Sequence, residues 1–125
     1  MSGKYLIMPD QESGGSWGFT PEQLDDVLHR NWPHARLAGP MPGFDVYELS
    51  VPFRDDHRHL TYHADRHFFS FADRDPLDFS FRVIFTLLLT LAPMQPVMWT
   101  DDFSGDINHV DLSVGLHELL RPFQR

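Results

Sequence analysis

Residues 75–93 form the longest hydrophobic stretch of the chain, and their pattern predicts a helix that is apolar on nearly every side. Polar residues return at every fourth position, so they form one narrow stripe along such a helix: Asp78, Arg82, Thr86 and Thr90. Asp75 can cap the helix, Pro76 suits its first position, and Pro93 prevents its continuation. We therefore expect a helix over about 76–92 that is buried on several sides.

Two shorter segments also have helical patterns. Thr20 and Gln23 have the spacing of a capping box, which predicts the start of a helix over about 21–32. Near the end of the chain, Ser113 can cap a helix over about 114–121, whose leucines recur at helical spacing. The sequence thus predicts one long helix and two shorter ones.

The remaining apolar segments are short, and they predict β-strands. These segments are residues 5–8, 35–38, 44–53, the two arms of 60–71, 96–100 and 110–112. The fold class they indicate is α+β, with a mostly antiparallel sheet of five to seven strands packed against the long helix. No linker or repeat divides the chain, so we expect one globular domain over 1–125.

The arms of 60–71 predict a β-hairpin with a defined register. A two-residue turn at 65–66 pairs Tyr62 with Phe69 on an apolar face. The same register places His63 beside Phe68 on the other face, which we expect to be partly solvated.

The composition excludes several classes of function. The net charge of −8, with no basic run, opposes binding to nucleic acid or anionic lipid and favours a basic or neutral protein partner. Because cysteine is absent, disulfides and thiolate sites are excluded, as fits a reducing cytoplasm.

The first residues lack the pattern of a signal peptide, so we expect a cytoplasmic protein. The long helix falls short of the roughly 20 apolar residues that cross a bilayer, so no membrane role is expected.

The loop over 101–108 combines acidic and aromatic residues. Its spacing does not fit a calcium-binding EF-hand, because the twelfth position from Asp102 is Ser113 where a glutamate belongs. Acidic groups around aromatic anchors suit the binding of a basic protein. The predicted partner-binding residues are Asp101, Asp102, Phe103 and Asp106, supported by Trp99.

Four histidines lie within residues 57–67, which raises the alternative of a small enzyme or a metal-dependent protein. The candidate ligands are His57, His59 and His63. The predicted hairpin opposes a metal site, because it directs His63 and His67 to opposite sides of the sheet. No HExxH motif or comparable ligand spacing is present, so we expect no metal and no other cofactor.

Signatures of nucleophilic catalysis are also missing from the chain. It contains no GxSxG elbow, no SxxK motif and no cysteine, which favours a non-catalytic role. The chain is small, acidic, free of cysteine and predicted to be α+β. In these respects it resembles two kinds of protein: the immunity proteins with which bacteria neutralise toxins, and acidic adaptor modules. That resemblance implies a protein-binding module. Self-association through a strand edge or an apolar patch is a further alternative.

Overall fold

The strands form a single antiparallel sheet in which the first strand of the chain lies inside, between β5 and β6. The computed structural model describes residues 3–124; residues 1, 2 and 125 of the predicted domain lie outside the described residues. The sheet has seven strands in the order β2-β3-β4-β5-β1-β6-β7. Their bounds are β1 Lys4–Pro9, β2 Arg36–Ala38, β3 Val46–Phe53, β4 Asp56–His63, β5 Phe68–Ala72, β6 Val97–Asp101 and β7 Ile107–Val110. The predicted α+β class with an antiparallel sheet is confirmed.

The β4–β5 hairpin has the predicted register. Tyr62 pairs with Phe69, and His63 pairs with Phe68. The turn closes with His67 at a φ of 55°, in the left-handed region. Because side chains alternate along each strand, this register directs Tyr62 and Phe69 into the core and leaves His63 and Phe68 on the opposite face.

Three α-helices pack on one face of the sheet and share its hydrophobic core. They are α1 Pro21–Asn31, α2 Leu77–Leu91 and α3 Leu116–Leu120, and 3₁₀ turns cover Gln11–Ser13, Leu112–Val114 and Arg121–Phe123. The capping box at the start of α1 is present as predicted. The amide of Gln23 donates to Thr20 Oγ1 at 3.2 Å, and the amide of Thr20 donates to Gln23 Oε1 at 2.8 Å.

Two predicted helix caps are wrong. Asp75 does not cap α2, whose N-cap residue is Pro76 and which has no side-chain cap. Ser113 does not cap α3, because its amide donates to Asp111 Oδ1 within the preceding 3₁₀ turn, and the N-cap residue is Gly115. In both places the segment just before the helix has local or tertiary partners that the sequence pattern does not reveal.

The last strand is also displaced from its predicted position. The pattern indicated residues 110–112, whereas β7 is Ile107–Val110 and the loop before it is shorter. Ile107 pairs with Thr100, and Val110 pairs with Val97. The strand begins earlier because pairing with β6 extends it into the segment that looked like loop.

Arg58 is a buried cation on the core side of β4, with 4% of its surface exposed. Its guanidinium donates to the carbonyls of Arg74 at 3.0 Å, Asp75 at 2.9 Å and Pro76 at 3.3 Å, and to Ser80 Oγ at 3.1 Å. Burial lowers the pKa of Arg58, because it disfavours the charged form. Arg58 thus holds the segment that leads into α2 against the sheet.

The other face of the sheet is not covered by any helix of residues 3–124, and we call it the open face. A row of side chains crosses it from β4 to β7: His63, Phe68, Met8, Met98 and His109. All of these side chains are partly or largely exposed. Within the described residues, no helix is both long and apolar enough to cross a membrane.

Candidate functional site

The predicted partner-binding residues lie in and beside the β6–β7 loop, residues 102–106. Asp101, at the end of β6, is 8% exposed and organises this loop. Its carboxylate accepts hydrogen bonds from the amides of Phe103 and Ser104, and from Ser104 Oγ at 2.9 Å. Burial acts to raise the pKa of Asp101, but these hydrogen bonds outweigh it, so the pKa lies below its usual value. Asp101 is therefore a scaffold for the loop more than a contact surface.

Asp102 and Asp106 are the exposed carboxylates of the loop. Asp102 Oδ1 accepts from the backbone amide of Lys4 at 2.8 Å, and the amide of Asp102 donates to the carbonyl of Lys4 at 3.1 Å. The carbonyl of Asp106 accepts from Thr100 Oγ1 at 2.7 Å, while its carboxylate has no hydrogen bond or ion pair within the described residues. The loop is thus tied to β1 and β6, partly through the Asp102 carboxylate itself, while Asp102 and Asp106 both remain exposed.

Phe103 is the exposed aromatic residue of this loop, with 54% of its surface accessible. One edge of its ring contacts Tyr5, with the ring centres 5.6 Å apart and the planes nearly perpendicular. The ring also lies over Gly3, where an added Cβ would come within 2.4 Å of Phe103 Cδ1. Because Gly3 has no side chain, the ring can rest on β1 while half of it remains in solvent.

Trp99 is directed to the core side of the sheet. Its ring lies 5.3 Å from Phe81 and 5.4 Å from Phe123, in edge-to-face arrangements. It also lies 5.8 Å from Tyr5, the residue on which Phe103 rests. Trp99 therefore supports the loop from beneath, and its indole is not one of the large exposed hydrophobic groups of the surface.

The candidate metal ligands lie along the open face of β4 and do not converge. His59 Nδ1 lies 3.7 Å from Glu48 Oε1. His63 stacks on Phe68 with ring centres 4.0 Å apart, and burial lowers its pKa. Among residues 3–124, no group of three or more histidine, aspartate or glutamate side chains is arranged to hold a metal ion.

One polar pair was not predicted from the sequence at all. His109 Nδ1 lies 2.8 Å from Asp10 Oδ2, although the two residues are 99 positions apart. Asp10 is 3% exposed, and it also accepts from Ser13 Oγ at 3.0 Å. Chiefly through the hydrogen bond with His109, the pKa of Asp10 lies below its usual value. The carboxylate is thus ionised near neutral pH and acts only as an acceptor, so His109 Nδ1 carries the hydrogen that lies between them.

A groove of about 430 Å³ lies beside this pair on the open face, and we call it the His109 groove. Its lining includes Met8, Phe68, Met98, Ile107, Arg66 and His109, with Glu12 on the wall formed by the first 3₁₀ turn. The hydroxyl of Ser13 bonds to Asp10 and not to His109, so the pair lacks the nucleophile that a catalytic triad requires. The groove thus has one imidazole whose orientation is set by a buried carboxylate.

The chain matches no protein-family model, no curated protein and no solved structure. Its fold places it among two-layer α+β proteins in which helices cover one face of an antiparallel sheet. Because fold alone does not determine function, a functional conclusion depends on the chain's own surfaces.

Proposed function

We propose that this chain is a small non-catalytic protein-binding module that docks a basic protein through its β6–β7 loop. The role within this class is that of an immunity protein that neutralises a toxin, or of a similar inhibitor or adaptor. One observation carries the proposal: the half-exposed ring of Phe103 lies between Asp102 and Asp106 on a loop whose conformation Asp101 fixes.

The loop is organised before any partner arrives, and this favours tight binding. A flexible loop loses conformational entropy on binding, whereas a loop held by the Asp101 hydrogen bonds has already lost most of it. Phe103 rests on Tyr5 in the free protein and needs no large rearrangement to enter a pocket of the partner. Burial of its exposed half contributes about 1 kcal/mol by the usual value for apolar surface.

The charge of the chain supports a basic partner. The net charge of −8 produces an attractive field for a positively charged surface, which raises the rate of encounter. Asp102 and Asp106 concentrate this charge around the aromatic anchor, where a lysine or arginine of the partner can pair with them. Such attraction is screened by salt, so the interaction is expected to weaken as ionic strength rises.

The experiment is affinity capture of a partner from the native cells by the tagged protein, with two charge-reversal variants compared with the wild type. The test variant carries Asp102→Lys and Asp106→Lys. The matched control carries Asp45→Lys and Asp55→Lys, which produce the same net charge at two exposed loop residues without side-chain hydrogen bonds or ion pairs in the described structure. Because Asp102→Lys also removes the hydrogen bond from the Lys4 amide, both proteins must first show wild-type far-UV and near-UV circular dichroism.

We expect the wild type and the control to retain the same basic protein, and the loop variant to lose it. Phe103→Ala should weaken retention without any change of charge, since it removes only the aromatic anchor. A captured protein that is toxic when expressed without this chain would identify the immunity role. A partner retained equally by the loop variant and the control would refute the assignment of this surface.

A further inference from the structure

One wall of the His109 groove is rigid, because Asp10 is held there by several hydrogen bonds. Asp10 is fixed by its backbone as well as by its side chain: its amide donates to the carbonyl of Pro96 at 2.9 Å, and its carbonyl accepts from the amide of Gly15 at 2.8 Å. A Cβ on Gly15 would lie 2.4 Å from the Pro96 oxygen, so only glycine allows this close turn. The carboxylate that orients His109 is therefore held in one position.

The fixed carboxylate determines how His109 meets the groove. Because Nδ1 holds its hydrogen toward Asp10, the other ring nitrogen, Nε2, faces away from Asp10 and has a lone pair in the neutral ring. Nε2 has no hydrogen-bond partner within the described residues, and 68% of the side chain is exposed. The groove thus offers an oriented hydrogen-bond acceptor at its β7 end.

The opposite end of the groove is cationic, and the floor between the two ends is apolar. Arg66, in the turn next to β5, has no ion pair or hydrogen bond within residues 3–124. Phe68, Met8 and Met98 lie on successive strands from β5 to β6. Three strand spacings separate β5 from β7, a span of about 14 Å at the usual distance between strands.

We propose that the His109 groove binds an elongated amphipathic carboxylate that carries a hydroxyl group at the end remote from its acid. The carboxylate pairs with Arg66, the apolar body lies on Phe68, Met8 and Met98, and the hydroxyl donates to His109 Nε2. The carboxylate of Asp10, which lies 2.8 Å from His109 Nδ1, repels an acid group placed at the β7 end, and this fixes the direction of the ligand. The groove volume lies within the range of small-molecule sites, about 300–1,000 Å³. This site is separate from the β6–β7 loop and does not rest on the proposed function.

The test is a titration with ω-hydroxydecanoate, followed through methionine methyl signals in NMR spectra of the full chain. Met8 and Met98 line the groove, whereas Met41 and Met94 are 44% and 84% exposed elsewhere and serve as internal controls. Among these four of the five methionines in the chain, Met8 and Met98 are expected to show saturable shifts, and Met41 and Met94 none. Equal shifts at all four signals, or none, would overturn the proposal.

Two chemical comparisons test the two ends of the site. Decanoate, which lacks the hydroxyl, should bind about fivefold more weakly, and His109→Phe should abolish that difference. The amine ω-hydroxydecylamine should bind about fivefold more weakly than the acid, and Arg66→Gln should abolish that difference while Arg54→Gln preserves it.

Because His109→Phe deprives buried Asp10 of its partner, that variant can lose structure. Arg66 lies in an exposed turn, so Arg66→Gln remains folded and keeps the test decisive. A wild-type protein that binds the acid and the amine equally would refute the carboxylate assignment. A preference for the acid that survives in Arg66→Gln would also refute it.

Discussion

Replacement of Arg58 by methionine tests whether the buried guanidinium is what fixes the start of α2. The four acceptors of Arg58 are three successive backbone carbonyls and the hydroxyl of Ser80, which is fully buried. Two of the carbonyls lie within 3.0 Å of the guanidinium nitrogens. Arg58→Met keeps an unbranched apolar stem on Phe53 and Phe79, which both lie near the guanidinium, but supplies no donor.

The expected loss of stability follows from these contacts. A hydrogen bond from a charged donor contributes about 1.5 kcal/mol or more, so the two short bonds together contribute about 3 kcal/mol. The methionine avoids the cost of desolvating a cation, but the fully buried hydroxyl of Ser80 and the three partly buried carbonyls lose their donor. We therefore expect Arg58→Met to lower the free energy of unfolding by about 3 kcal/mol.

The assay is urea unfolding followed by far-UV circular dichroism, with the slope of the transition checked against the wild type. Arg54→Met is the matched control, because Arg54 is exposed and its guanidinium lies 4.8 Å from the ring centre of Phe53. That control should cost about 0.5 kcal/mol, the value of an exposed cation–π contact. A loss below about 1 kcal/mol for Arg58→Met, or one equal to that of the control, would refute the reasoning.

Two further predictions concern His63 and the support of Phe103. Because burial lowers the pKa of His63 from its usual value of 6.5, the unfolded chain binds this proton more readily. The contribution of His63 to stability is thus complete above about pH 6.5 and declines as the pH falls toward the pKa of the folded state. In urea titrations from pH 7 to pH 5, the free energy of unfolding should therefore decline less in His63→Gln than in the wild type. A parallel decline in both proteins would contradict this. Gly3→Ala should displace the Phe103 ring from Tyr5, seen as a changed near-UV dichroism with the far-UV spectrum retained, and an unchanged near-UV spectrum would show that the ring does not rest on Gly3.

The features that the sequence predicts correctly depend on neighbours close in the chain. The capping box joins Thr20 to Gln23, three residues on, and the β4–β5 hairpin follows from alternation on both sides of a short turn. The apolar run of α2 likewise predicts a buried helix, because a helix that is apolar on nearly every side must be buried on several sides.

The features that sequence reasoning missed depend on contacts between distant segments. Asp10 and His109 meet only because β1 lies inside the sheet, two strands from β7. Alternation along β4 places Arg58 on the core side, but its carbonyl acceptors lie in a segment 16–18 residues away. No local pattern reveals such partners.

The acidic loop contains both a feature that the sequence predicts and a feature that it does not. Its composition indicated a surface feature, and Asp102, Phe103 and Asp106 are indeed exposed. Burial of Asp101 depends on its position as the last residue of β6, where its carboxylate turns back onto the loop amides. An aspartate that caps a loop and one that faces solvent have the same sequence signature.

The central claim is that the β6–β7 loop docks a basic protein, and calorimetric titration of the captured partner tests it most directly. The titration is made with three proteins, each at low and at moderate ionic strength. They are the wild type, the loop variant that carries both Asp102→Lys and Asp106→Lys, and the control that carries both Asp45→Lys and Asp55→Lys. We predict that wild-type affinity falls as salt rises, that the control stays close to wild type, and that the loop variant binds weakly with little salt dependence. Equal affinity and equal salt dependence in the two variants would contradict the claim.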